Sequence, residues 1–304
     1  MLYSKEASMH VVRKPMRRPG FSLLVIIACV SIISSCSKSD STPPEKKPTI
    51  QLASSPTLGS YLTDTLGYTL YYFSNDFNGQ SNCAGGCLDL WPIYFAGDNL
   101  SQASLVAGLD IADFGTITTP TGKQTTYKTW PLYYYAPAVG GLNARENPGE
   151  IKGEGFGNVW YVAKPDYTIM LVNAQLVGSD GKNYKSDFTE GVGKTLYFTD
   201  ANGVSLYGFS KDSFNVNKFT KDDFSNNPVW PIYEMDEMVV PSTLDKSLFA
   251  TTAVFGKVQL TYKGWPLYYF GQDNLTRGSN KGVSFPAPGI WPIMMKDLPV
   301  APAP

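Results

Sequence analysis

Two cysteines and three aspartates are the side chains of this sequence best placed to do chemistry. Cys83 and Cys87 stand in Ser81-Asn82-Cys83-Ala84-Gly85-Gly86-Cys87, four residues before Trp91. Two glycines let the chain curl tightly enough for such close thiols to form a small disulfide. The same thiols could act as a redox dithiol or as soft-metal ligands. The spacing is not the Cys-x-x-Cys of thioredoxin-like proteins, and Leu88 stands where haem attachment needs a histidine. Two thiolates also fall short of a zinc or iron–sulfur ligand set. In an exported chain the pair should oxidise, and so short a loop would mainly fix local shape. Asp76, Asp212 and Asp273 each close a Leu-Tyr-x-Phe-x-x-Asp run. A carboxylate repeated at strand ends reads either as a cation or ligand contact or as a turn acceptor of backbone N–H groups. Asp76-Phe77-Asn78-Gly79 supplies only a fragment of a calcium loop, whereas calcium takes six to eight oxygens. A fourth copy of the run holds Ala138 at this position, which favours the turn role.

Other candidates are weaker. Met235, Met238, Met294 and Met295 could offer thioethers to copper, although methionine is more often packing. Asp222, Asp223, Glu234, Asp236 and Glu237 could supply a carboxylate pair for glycoside hydrolysis, but solvated loops explain them equally well. The single histidine, His10, lies in a leader. Phe21 to Ile33 is a 13-residue apolar run behind Arg17 and Arg18, too short for a membrane span and shaped like a secretory signal. Ile33-Ser34-Ser35-Cys36 after it resembles the lipoprotein signal, in which Cys36 is lipidated and becomes the new N-terminus. Cleavage there removes His10, Lys5, Arg13, Lys14, Arg17, Arg18 and Glu6, leaving 20 basic and 25 acidic side chains. Without histidine, no Ser-His-Asp or Cys-His nucleophile and no histidine-ligated metal or haem is available. Catalytic residues, metal ligands and cofactors are therefore expected to be none. Near-neutral charge without basic runs also gives no electrostatic case for nucleic acid.

These side chains sit in a repeat. Five of six tryptophans precede proline: Trp91, Trp130, Trp230, Trp265 and Trp291. The Leu-Tyr-x-aromatic runs carry Tyr71, Phe73, Tyr133, Tyr207, Phe209, Tyr268 and Phe270, and each run is followed by Trp91, Trp160, Trp230 or Trp291. Leu109–Tyr135 aligns on Leu244–Phe270 without a gap, with 13 of 27 positions identical. The body is thus a tandem duplication whose halves are themselves two-fold repetitive. Runs of β-branched and aromatic residues between Gly, Pro, Asn and Asp predict an all-β fold of short antiparallel strands. Hairpin turns are expected at Pro120–Lys123 and Asp200–Gly203, strand ends or edges at each Trp-Pro, and a short helix at Ser101–Leu109. Whether the strands close as barrels, sandwiches or propeller blades is left open. The expected divisions are a signal at 1–35, a tether at 36–48, a first β-repeat domain at 49–175, a second at 176–297 and a tail at 298–304. The tether holds no apolar side chain after Cys36, as a solvated linker should.

The Leu-Tyr-x-Phe-x-x-Asp runs, Cys-x-x-x-Cys ahead of Trp-Pro, and Gln-x-Thr-Tyr-x-x-x-Pro-Leu-Tyr together resemble the bacterial secreted-repeat lipoproteins of unknown function. The resemblance covers roughly residues 57–296. It implies a lipid-anchored protein of the cell envelope, in the outer membrane if the host is Gram-negative, facing periplasm or exterior. It supplies no reaction. The membrane, through the lipid, is the one partner implied. The reading that follows is a non-enzymatic binding or scaffolding lipoprotein; the alternative is an envelope protein handling electrons or soft metal at Cys83/Cys87.

Overall fold

Four β-hairpins frame the molecule. In the computed structural model, which describes residues 48–304, Ile50–Ser55 pairs with Gly59–Asp64 and Phe114–Thr119 with Gly122–Tyr127. Met170–Val177 pairs with Lys194–Thr199 and Phe249–Val254 with Lys257–Tyr262. The duplication is visible in the register: Phe114 opposes Tyr127 and Phe249 opposes Tyr262, each pair followed by a tight reversal into a two-residue strand at Trp130–Pro131 or Trp265–Pro266. The turns at Pro120 and Asp200 form where the sequence places them. The protein is nearly all-β, built of short antiparallel strands in small sheets.

Inside each half the two repeats are intertwined. Tyr71 and Tyr133 exchange two backbone hydrogen bonds of 2.9 Å, as Tyr207 and Tyr268 do at 2.8 and 2.9 Å. On the outer side of Tyr71 lies the Trp160–Val162 strand of the other repeat, and on the outer side of Tyr133 lies Ile93, just past Trp91. The second half repeats the order: Ile293 beside Tyr207, Tyr207 beside Tyr268, Tyr268 beside Ile232. Proline after tryptophan has no N–H to give, but its carbonyl serves: Pro92, Pro231 and Pro292 accept from Tyr134, Tyr269 and Gly208. Each repeat thus completes the sheet of its neighbour, so neither can form its core alone.

One expectation changes, and two of the expected boundaries fall within ordered structure. Ser101–Leu109 forms a single 3-10 turn at Gln102–Ser104, because the backbone around it is taken by the Ile50 edge: Thr49 donates to Ser104 and Val106 donates to Ile50. The division at 175/176 falls within Met170–Val177, a strand zipped to Lys194–Thr199 of the second half. Residues 298–304 are built in, with Ala301 donating to Lys263 and Phe214 donating to Pro302. The described residues fall in one compact unit. The signal at 1–35, Cys36 and the tether up to residue 47 lie outside the described residues.

Candidate functional site

The motif tyrosines and acids meet across the repeats. Tyr133 donates to Asp76 Oδ2 at 2.7 Å, Tyr268 to Asp212 Oδ2 at 2.7 Å and Tyr207 to Asp273 Oδ2 at 2.7 Å. In every case the acid comes from one repeat and the tyrosine from the other. The second carboxylate oxygen accepts a backbone N–H further along its own loop: Asn82 for Asp76 (2.7 Å), Lys218 for Asp212 (2.7 Å) and Lys281 for Asp273 (2.9 Å). Each acid therefore pins a loop and a strand together, with both oxygens occupied. Burial is the main force raising these carboxyls, to about 7 for Asp76 and about 6 for Asp212, against the hydrogen bonds that lower them. The same burial pushes all the partner tyrosines far above their ordinary value.

Tyr71 does not lack a partner, although Ala138 occupies the motif position. Its hydroxyl donates to Glu146 Oε1, and Glu146 Oε2 accepts from Lys152 N at 2.7 Å. The separation from acid to amide donor is six residues, as for Asp76 and Asp212. Glu146 is the fourth motif acid, displaced along the chain and reaching in with one extra methylene. Sequence reading missed it because the search was at a fixed offset. The signal was the Lys-Gly pair after it, Lys152-Gly153, matching Lys281-Gly282 after Asp273. Both glycines are needed: a Cβ at Gly153 would lie 2.8 Å from Trp91 and 2.9 Å from Tyr71, and one at Gly282 would lie 2.8 Å from Trp230 and from Tyr207.

The tryptophans form the centre of each half. Trp91 stacks on Trp160 at 3.8 Å between ring centres, and Trp230 on Trp291 at 3.7 Å. Phe73 and Tyr135 extend the first pair into a four-ring pile, and Phe209 and Phe270 extend the second. The motif tyrosines meet these rings edge-on, at 5.4 Å for Tyr71 on Trp91 and 5.2 Å for Tyr268 on Trp291. Except Phe209 and Trp265, which are partly buried, the tryptophans and motif aromatics singled out in the sequence are buried.

A second set of acids escaped the sequence reading. Asp64 and Asp200 cap equivalent hairpin turns and receive the hydroxyls of Tyr134 (2.9 Å) and Tyr269 (3.0 Å). The turns read Leu62-Thr63-Asp64-x-x-Gly67 and Phe198-Thr199-Asp200-x-x-Gly203, a correspondence legible in the sequence. Arg277 was missed as well. Its guanidinium lies 3.6 Å over Trp130 and donates to Thr129 Oγ1, Asn202 O and Asp76 O, so one side chain ties loops of both halves. Burial lowers this guanidinium to about 10, with Asp76 the first of the groups that hold it up.

Cys83 and Cys87 form a disulfide, with Cα atoms 5.4 Å apart. Cys83 is buried against the Trp91 cluster, and the helix Gly86–Leu90 carries the chain from the bridge to Trp91. In the second half Phe219 fills the comparable place, edge-on to Trp291 at 4.7 Å. The weaker candidates disperse. Met294 is core, Asp223 holds a turn by accepting from Ser225 N, and Glu234 pairs with Lys257 at the surface. Among the described residues no group of three or more His, Cys, Asp or Glu could hold a metal.

Two stretches of the chain, residues 53–94 and 250–294, match the family model described as a secreted repeat of unknown function. Both are copies of that secreted repeat. The first runs through Tyr71, Asp76 and the disulfide to Trp91, and the second through Tyr268 and Asp273 to Trp291. This is the family that the sequence resembles, and it marks a protein of the envelope or the extracellular space. No curated protein and no solved structure matches the chain. Among the described residues no helix is long and apolar enough to cross a membrane.

Proposed function

We propose that the chain is an envelope lipoprotein, anchored through Cys36, in which the repeat motif is a structural core and the function is non-catalytic binding or scaffolding. One observation carries the reading: all four motif acids have both oxygens satisfied inside the protein and are at most 5% exposed. A carboxylate in that state is held by the protein's own donors and is closed off from solvent, where a substrate would have to meet it. The secreted-repeat match and the lipoprotein-like leader support the location.

The same logic makes the disulfide a staple, since Cys83 is buried in the core cluster that holds Trp91. Measuring its reduction potential separates this reading from the redox alternative. A value below about −300 mV is expected, the range of structural bridges in secreted proteins, and a value near about −200 mV or above would move electron handling to the front. For the anchor, incorporation of an alkyne-tagged fatty acid should be complete in the native chain and lost in Cys36→Ser.

A further inference from the structure

A cleft of about 620 Å³ lies where the Gly59 turn of the first half faces residues 238–246 of the second. Leu58, Ile151, Met238 and Leu244 give it apolar walls. Its size is that of a small-molecule site. Glu154, Lys164 and Asp166 line it from the first half and Lys246 from the second, and the first two are the buried charges. Lys164 is only 6% exposed, yet among the described residues its ammonium makes no hydrogen bond and no ion pair, resting 5.1 Å from the Tyr167 ring. Glu154 Oε2 accepts from Val162 N at 2.6 Å, whereas Oε1 is buried without a partner. The hydroxyl and backbone N–H of Ser242 lie close enough to lower this carboxyl, but neither reaches Oε1 in full hydrogen-bonding geometry. Burial raises the Glu154 carboxyl and lowers the Lys164 ammonium, and the attraction of each for the other, with Asp166 adding to it at Lys164, offsets burial only in part.

The duplication provides an internal control. Gly153 and Gly282 occupy the same place, each donating to a motif tyrosine and touching a tryptophan. The next residue is Glu154 in one half and Val283, fully buried, in the other. Likewise Ala163 donates to Leu70 and Met294 to Leu206, and the next residue is Lys164 or Met295. The fold is therefore content with Val and Met at these two positions. An apolar pair there should be at least as stable as separated buried charges. The charges have another use.

Completing both groups takes a ligand that offers an acceptor to Lys164 and a donor to Glu154, with an apolar part for the walls. We propose that this cleft binds a free α-amino acid with an apolar side chain, its carboxylate on Lys164 Nζ, its ammonium on the Glu154 carboxylate and its aliphatic chain against Leu58, Met238 and Leu244. The proposal rests on the binding reading above and gives that reading a site and a ligand class.

Calorimetric titration of the purified full chain with L-leucine tests it, with leucinamide and 4-methylpentanoate as analogues lacking the carboxylate or the ammonium. L-leucine should give saturable heat with a Kd below about 1 mM, and each analogue should bind at least about tenfold more weakly. Lys164→Met and Glu154→Val import the residues of the second half. They should keep or raise the thermal midpoint while weakening L-leucine by at least about tenfold. Absence of saturable heat at about 10 mM L-leucine, equal binding of either analogue, or undiminished binding by a folded variant would overturn the proposal. Should a variant fail to fold, the analogue series on the native chain decides alone. None of these results touches the structural reading of the motif, which has its own test.

Discussion

The two halves build one architecture with different parts, and the differences separate what the repeat requires from what it tolerates. Both keep the stacked tryptophan pair, the reciprocal tyrosine backbone pairing and the exchange of tyrosine hydroxyl for carboxylate between repeats. Only the first half carries the disulfide, the displaced Glu146 and the buried charges Glu154 and Lys164; the second offers Phe219, Asp273, Val283 and Met295 instead. Even the covering of the third-strand tryptophan differs. Trp130 donates its indole N–H to Ala201 of the second half and lies under Arg277, whereas Trp265 donates to Pro299 of the C-terminal tail. What is shared is core. What is unshared is where a specific role has room to reside.

The comparison can be broken most forcefully at the stacks. Trp91→Ala and Trp230→Ala should each cost about 3–5 kcal/mol in denaturant unfolding, the range for large aromatic truncations in a core. A small loss in one half only would mean that its pile is dispensable. Next, Tyr71→Phe and Tyr207→Phe should each cost about 1.5–3 kcal/mol, since a buried carboxylate oxygen loses its donor. Equal effects would show that Glu146 serves as well as an aspartate. Opening the bridge with Cys83→Ser and Cys87→Ser should cost about 2 kcal/mol from loop entropy and leave the fold intact.

The acids also sharpen the comparison through pH. Asp76 and Asp212 bind a proton more tightly folded than unfolded, so stability falls as pH rises from about 4 to about 7 for Asp76 and to about 6 for Asp212. In urea midpoints measured across that range, Asp76→Asn should flatten the slope up to about 7, and Asp212→Asn only up to about 6. Identical profiles for the two variants would contradict the higher upper limit expected for Asp76.

Much of this was legible in the residues. The Trp-Pro and Leu-Tyr runs gave the duplication, and the Phe114–Tyr127 and Phe249–Tyr262 hairpins stand in the register that the gapless alignment implies. Strand pairing between repeats was not legible, because period-2 alternation says which face a side chain takes and nothing about which strand lies beside it. Glu146 and Arg277 were hidden for a related reason: each acts on a partner far along the chain, through a side chain long enough to escape any fixed spacing. The buried charges Glu154 and Lys164 stand out only beside their counterparts, once the structure shows that Val283 and Met295 occupy the same places.

The central claim is that each motif acid is the internal partner of the neighbouring repeat's tyrosine. A double-mutant cycle between Tyr71→Phe and Glu146→Gln tests it at the one pair whose acid stands outside the fixed motif spacing. The predicted coupling in unfolding free energy is about 1–3 kcal/mol, the range for groups in direct hydrogen-bonded contact. Additive effects, with a coupling indistinguishable from zero, would contradict it and return the acids to the list of residues free to meet a ligand.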